Sequence, residues 1–259
     1  MTISIPARTG AVARFLPEGL GTVLFKSLQK IKEHDLAMCR RIATDPNSAQ
    51  FFAEYSLFEH SVGVAELCVV AALALGFNSV DAALLCTSAC LHDQGKLFAS
   101  MFWLNRQFTE AERLMAGHHA RSSAVMFRNS VREHVMKSGY RTEFWYQPIF
   151  DMIDKHHAPW ELKNIHVRRL GEILHFADIF VACMESRHRP GMSREEAGMC
   201  MRQQRAELLK YTLFAAQVIE VISEIGSAPG PDFGSNAPNG TMPADGIQLR
   251  AIGAAAAKS

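Results

Sequence analysis

The run from Val80 to Leu91 is apolar nearly all round and closes on His92-Asp93-Gln94-Gly95-Lys96. A helix that is apolar on every side must be packed on every side. The stretch therefore predicts a central helix with the rest of the chain arranged about it. An adjacent His and Asp at the end of such a helix can ligate two different metal ions, with Asp93 bridging them. Lys96 stands about one helical turn further on. Two ligands do not complete a site, so others must arrive from separate segments, and His60, His118, His156, His157 and Asp178 are the candidates.

Each candidate lies in text with helical periodicity. Leu24, Leu28, Ile31, Met38 and Ile42 predict an amphipathic helix or helix pair from about Val23 to the Asp45-Pro46 break. The next helix is expected to start between Ala49 and Tyr55 and to reach Leu75. Its spacing of His60, Val64, Leu67 and Ala71 turns His60 toward the core. Thr109 with Glu112 forms a helix start ahead of Leu114 and His118, and Ser130 to Arg141 reads as a mobile or short helical connection. Glu143 to His157 is helical in pattern with a start or kink at Pro148. In the helix from Asn164 to about Glu185, Val167, Leu170, Leu174, Ala177 and Val181 trace the buried stripe that Asp178 borders. A helix beginning at Ser193-Arg194-Glu195-Glu196 can run to Ile225. No alternating strand pattern occurs. The fold class is all-α: an irregular N-terminus over 1–22, one helical domain over 23–225, and a flexible tail rich in Pro, Gly and Ala over 226–259.

Composition narrows the functions open to this domain. Lys and Arg number 27 against 26 Asp and Glu, a formal net charge of +1. Binding to a nucleic-acid duplex needs a cationic surplus or face, which near-neutrality does not supply, while a local basic pocket for a small phosphorylated ligand remains allowed. The six cysteines lie mostly inside apolar helical text without a CxxC pair, which suits free thiols in a reducing compartment. The first ten residues lack the pattern of a secretory signal. The most apolar window, Val62 to Leu75, contains Glu66 and falls short of a bilayer span. A cytoplasmic protein without membrane attachment is expected.

His92-Asp93, with His60 upstream and Asp178 downstream, resembles the HD superfamily of metal-dependent phosphohydrolases. The added histidines resemble its HD-GYP branch, which cleaves cyclic dinucleotides. The likeness covers roughly 50–200. The branch's His-Asp-x-Gly-Lys is matched by His92, Asp93, Gly95 and Lys96. Its later metal-binding histidine falls on His118, with a small residue, Ser122, four further on. Its Ala-Asp-x-Phe is matched by Ala177, Asp178 and Phe180, and Arg187 stands where the family carries an arginine. His156-His157 is followed by Ala158-Pro159-Trp160-Glu161 rather than by the branch's Gly-Tyr-Pro. Members with three metals carry a glutamate where this chain has Ser56, which favours two ions.

The resemblance implies that His60, His92, Asp93 and Asp178 hold one ion and that Asp93, His118, His156 and His157 hold the other. Nitrogen and oxygen donors without thiolate suit iron or manganese, with zinc next. Two such ions about 3.5 to 4 Å apart support attack of a metal-activated hydroxide on a phosphoester. Asp93 and Lys96 then form the catalytic core, while Lys96, Arg121, Trp160 and Arg187 are the candidate substrate contacts. The expected ligand is a nucleotide or cyclic dinucleotide, which suggests signalling. The long helices leave a homodimer open. The other readings weighed are a diiron oxygenase of the HD type and a non-catalytic metal-binding regulatory module. Of the remaining histidines, His119 is expected to point away from the metals and His175 to support a ligand.

Overall fold

The computed structural model of the chain describes residues 16, 19–44, 56–99, 102, 108–135, 144–185, 191–208 and 213–227. Its helices are α1 (Leu20–Thr44), α2 (Leu57–Ala74), α3 (Ser79–Leu91), α4 (Glu110–Ala116), α5 (His119–His134), α6 (Tyr146–Asp154), α7 (Ile165–Met184), α8 (Arg194–Leu208) and α9 (Leu213–Ser227). Short 3-10 turns cover Gln94–Phe98 and Pro159–Glu161. No strand occurs among the described residues, so the all-α expectation holds. Arg187, most of the Phe98 to Phe108 segment and nearly all of the C-terminal tail lie outside the described residues.

α3 is the central helix that its composition requires. Every residue from Asp81 to Leu91 is buried, and α1, α2, α6 and α7 all pack on it. The predicted stripe of α7 is buried too, with Leu174 and Ala177 fully so. By length and composition α2 reaches the minimum for crossing a bilayer, because it starts five residues before the window at Val62. Yet 67% of it is buried inside the fold, as befits a core helix.

Helix starts follow side-chain chemistry. Ser56, Asn78, Thr109 and Asn164 each accept a backbone N–H from the first turn of their helix, and Thr109 forms a full capping box with Glu112. Ser56 also donates to Asp35 of α1 at 3.0 Å, and the same carboxylate oxygen accepts the Phe58 N–H at 2.7 Å. That contact fixes the start of α2 at Leu57, later than the sequence pattern alone indicates. Pro148 falls in the first turn of α6, where no intrahelical N–H is needed, so it causes no break.

The single helix expected from Ser193 to Ile225 is two, α8 and α9. Arg202 pairs with Glu220 at 3.3 Å, and Ser223 Oγ donates to Gly198 O at 3.5 Å. The pairing of early residues in α8 with late ones in α9 makes an antiparallel hairpin. Neither Gly nor Pro punctuates 209–212, which is why the periodicity does not separate the two helices. α1 likewise begins at Leu20 rather than Val23, just after Gly19 with its positive φ of 81°. α5 carries helix to His134, into what reads as a connection.

Candidate metal centre

Four helix ends and one helix interior converge beside the C-terminus of α3. His60 comes from the first turn of α2, His92 and Asp93 from the end of α3, His119 from the start of α5, His156 and His157 from just beyond α6, and Asp178 from the middle of α7. Two groups form, His60, His92, Asp93 and Asp178 in one, and His119, His156 and His157 in the other. In each, one candidate ligand atom per residue lies within 4.8 Å of all the rest.

The Asp93 carboxylate faces both groups with different oxygens. Its Oδ2 lies 3.3 Å from His60 Nε2 and 3.4 Å from His92 Nε2. Its Oδ1 lies 3.0 Å from His119 Nε2 and 3.9 Å from His156 Nε2. Asp178 Oδ1 completes the first group at 3.1 Å from His60 Nε2 and 3.5 Å from His92 Nε2. His157 Nε2 completes the second at 3.0 Å from His119 Nε2. Lys96 Nζ bonds Asp93 Oδ2 and lies over the Phe102 ring, 5.5 Å from its centre.

The ring orientations have a local cause. Carbonyls in the last turn of a helix lack an intrahelical donor. His92 Nδ1 bonds Ala89 O at 2.7 Å, His156 Nδ1 bonds Ile153 O at 2.8 Å, and His119 Nδ1 bonds Ala116 O. These three carbonyls lie in the last turns of α3, α6 and α4. A carbonyl only accepts, so each Nδ1 carries a proton and each Nε2 is left directed at the centre. His60 is held differently, its Nδ1 lying 2.7 Å from Glu185 Oε1.

These donors fit a pair of cations. Two ligands about 2.1 Å from one ion lie roughly 3.0 Å apart at a right angle and roughly 3.4 Å apart at a tetrahedral one. Within the groups, the separations above run from 3.0 to 3.5 Å. His92 Nε2, Asp93 Oδ1 and His156 Nε2 are buried and find no partner in hydrogen-bond geometry. Such atoms are costly to bury unless something binds them.

The electrostatics divide the same way. Burial opposes charge on His60, but Glu185, Asp178 and Asp93 outweigh it and hold the imidazole well above its ordinary pKa. His92, also resisted by burial, is drawn up to about 9 by Asp93 and Asp178. Asp93 and Asp178 stay well below the usual carboxylate range despite burial, the first beside His92 and Lys96, the second beside His60 and His92. In the second group burial dominates: His156 is pushed well below its usual value, and His157, though exposed as a residue, down to about 4. The first group thus attracts positive charge, while His156 and His157 of the second are held as neutral imidazoles.

One assignment changes. His118 is exposed and stands at the junction of α4 and α5, whereas His119 is buried in the centre. Adjacent helical residues differ by about 100° in direction, so only one can face inward. The signal was legible: His119 is in register with Ser123, Phe127 and Val131, the buried side of α5. Ser123, not Ser122, is the small residue that matters. Its Oγ accepts the Gly95 N–H at 2.8 Å and donates to His119 O at 2.9 Å.

The substrate-contact candidates fare unevenly. Lys96 is buried at the centre. Arg121 is exposed, paired with Asp154 at 3.1 Å and set over Phe150, so a phosphate would have to draw it from both. Trp160 packs edge-on against His175 at 5.7 Å, and His175 Nδ1 donates to His156 O at 2.8 Å. His175 therefore supports a ligand's backbone, as expected, with Trp160 a layer behind. Glu185 is the site residue that sequence reasoning missed.

Searches of curated proteins and of solved structures found no match. The family model of the HD domain, however, matches residues 57–203, from the start of α2 into α8. That span is more than half of the chain and contains every residue of both groups, and on this match the chain belongs to the HD domain family.

Proposed function

We propose that this protein is a dinuclear metal-dependent phosphohydrolase acting on phosphoesters of nucleotides, cyclic dinucleotides among them. The observation that carries this reading is the division of Asp93, with Oδ2 turned to one ligand group and Oδ1 to the other. A carboxylate shared in this way is what two neighbouring cations require. HD domains are in general metal-dependent phosphohydrolases, which supports the reaction class. All-nitrogen-and-oxygen donors favour iron or manganese over softer alternatives.

Two divalent ions, when bound, supply Lewis acidity toward phosphoryl oxygens and a lowered water pKa. The chain's own residues do the rest. The i−3 carbonyls under His92, His119 and His156 hold the rings in the ligating tautomer. Lys96 brings an ammonium to the edge of Asp93, placed to offset negative charge that develops on a phosphoryl oxygen. Phe102, buried against both Lys96 and His119, keeps that side of the centre apolar and so strengthens the electrostatic interaction.

The test is anaerobic purification, loading with Fe(II) or Mn(II), and assay on phosphomonoesters, linear phosphodiesters and cyclic dinucleotides. Hydrolysis that requires about two ions per chain, and that falls at least about 100-fold in Asp93→Ala, is expected. A fully loaded protein that leaves the whole panel intact, or consumes O₂ with an organic substrate instead, would overturn it.

A further inference from the structure

α7 and its C-cap residue supply two carboxylates to one ring. Asp178 and Glu185 are seven residues apart, about two turns, and so lie on nearly the same side of the helix. Asp178 Oδ1 stands 3.1 Å from His60 Nε2, and Glu185 Oε1 stands 2.7 Å from His60 Nδ1. The imidazole on α2 is thus gripped at both nitrogens by the helix that packs against it. His92, His119 and His156 rest on neutral carbonyls instead. His60 lies in the first turn of α2, where the main chain presents donors rather than free acceptors, and its Nδ1 meets a carboxylate from outside that helix.

The side chain of Glu185 is 19% exposed and that of His60 fully buried, so the pair is largely shielded from water. A charge-assisted hydrogen bond of this kind is roughly twice as strong as one to a carbonyl. It fixes the ring's rotation and tautomer and makes Nε2 a stronger donor to a cation. Residues matched to the His-Asp motif would not reveal it, since Glu185 follows the last motif ligand by two turns and caps its helix.

We infer that Glu185 is a positioning residue that, through His60 Nδ1, sets the affinity of the first ligand group for its ion. This inference rests on the dinuclear reading above. It makes the two ions unequal in a defined direction: without the Glu185 carboxylate, the ion held by His60, His92, Asp93 and Asp178 leaves first.

The experiment compares wild type, Glu185→Gln and Glu185→Ala in the full chain. Each is loaded with Mn(II), titrated with a competing chelator, and its ions per chain are counted. Far-UV circular dichroism and thermal unfolding of the metal-free proteins confirm that each variant is folded. Loss of such a supporting partner weakens metal binding by about 10- to 100-fold, so Glu185→Ala should retain one ion per chain at chelator concentrations where wild type retains two. Glu185→Gln, equal in shape but uncharged, should fall between them. A side chain that merely fills space would be replaced by glutamine without effect, and that result would overturn the inference. Wild type and Glu185→Ala losing their ions together would also overturn it while leaving the dinuclear reading intact. Wild type that takes up no Mn(II) would remove both.

Discussion

About 100° of helical rotation separates His118 from His119, and that rotation decides which of the two can meet Asp93. The buried side of α5 runs through His119, Ser123, Phe127 and Val131, and His118 is a step off it. Replacing His119 with alanine should remove one ion per chain and lower hydrolysis by about 100-fold or more. Replacing His118 should change neither, as elemental analysis and the same assay will show. His60, His92, His156 and Asp178 were legible because each adjoins an apolar stripe or ends a helix, where an ionisable side chain stands out. Glu185 was not legible in that way. It lies past the stripe of α7, and its role depends on how α7 crosses α2, which no spacing within either segment specifies.

The ligands stay together only if the elements that carry them approach closely, and one such close approach is at Gly95. A Cβ there would stand 2.8 Å from Ser123 N and 2.9 Å from Ser122 Cβ, with His119 O closer still. The turn Gln94–Phe98 therefore lies directly on the backbone of α5, joined by Gly95 N–H to Ser123 Oγ and by Gln94 Nε2 to Ser123 O at 3.0 Å. Overpacking of this kind typically costs about 1 to 3 kcal/mol. Gly95→Ala should lose that much stability in urea titration and, by pushing α5 outward, bind the His119 ion more weakly. The element order was readable from caps and periodicity, as at Thr109 and Asn164. The division into α8 and α9 was not, because neither Gly nor Pro stands over 209–212 and the pairing of Arg202 with Glu220 that sets the two helices antiparallel follows from no local spacing.

For the whole molecule, the centre joins stability to pH. His92 has a folded pKa of about 9, above the roughly 6.5 of an unfolded histidine. In the metal-free protein its contribution is fully present below about pH 6.5 and is lost as pH rises through about 9. The shift corresponds to roughly 3 kcal/mol. Urea unfolding of chelator-treated protein should therefore show falling stability from pH 6.5 to 9. Loaded protein should show the opposite trend, because a cation displaces the Nε2 proton and binds better as protons become scarce. Titration calorimetry near pH 7.5, in buffers of different ionisation enthalpy, should detect that proton's release. A loaded protein that followed the metal-free curve would contradict the assignment of His92 as a ligand.

The three rings that lean on the ends of α3, α4 and α6 are moored to peptide oxygens rather than to other side chains. Every amino acid contributes such an oxygen, so replacement of Ala89, Ala116 or Ile153 leaves the mooring chemically unchanged so long as its helix keeps its end. A lineage carrying this frame can therefore exchange the surrounding walls, and with them the molecules admitted, while the frame itself is inherited intact.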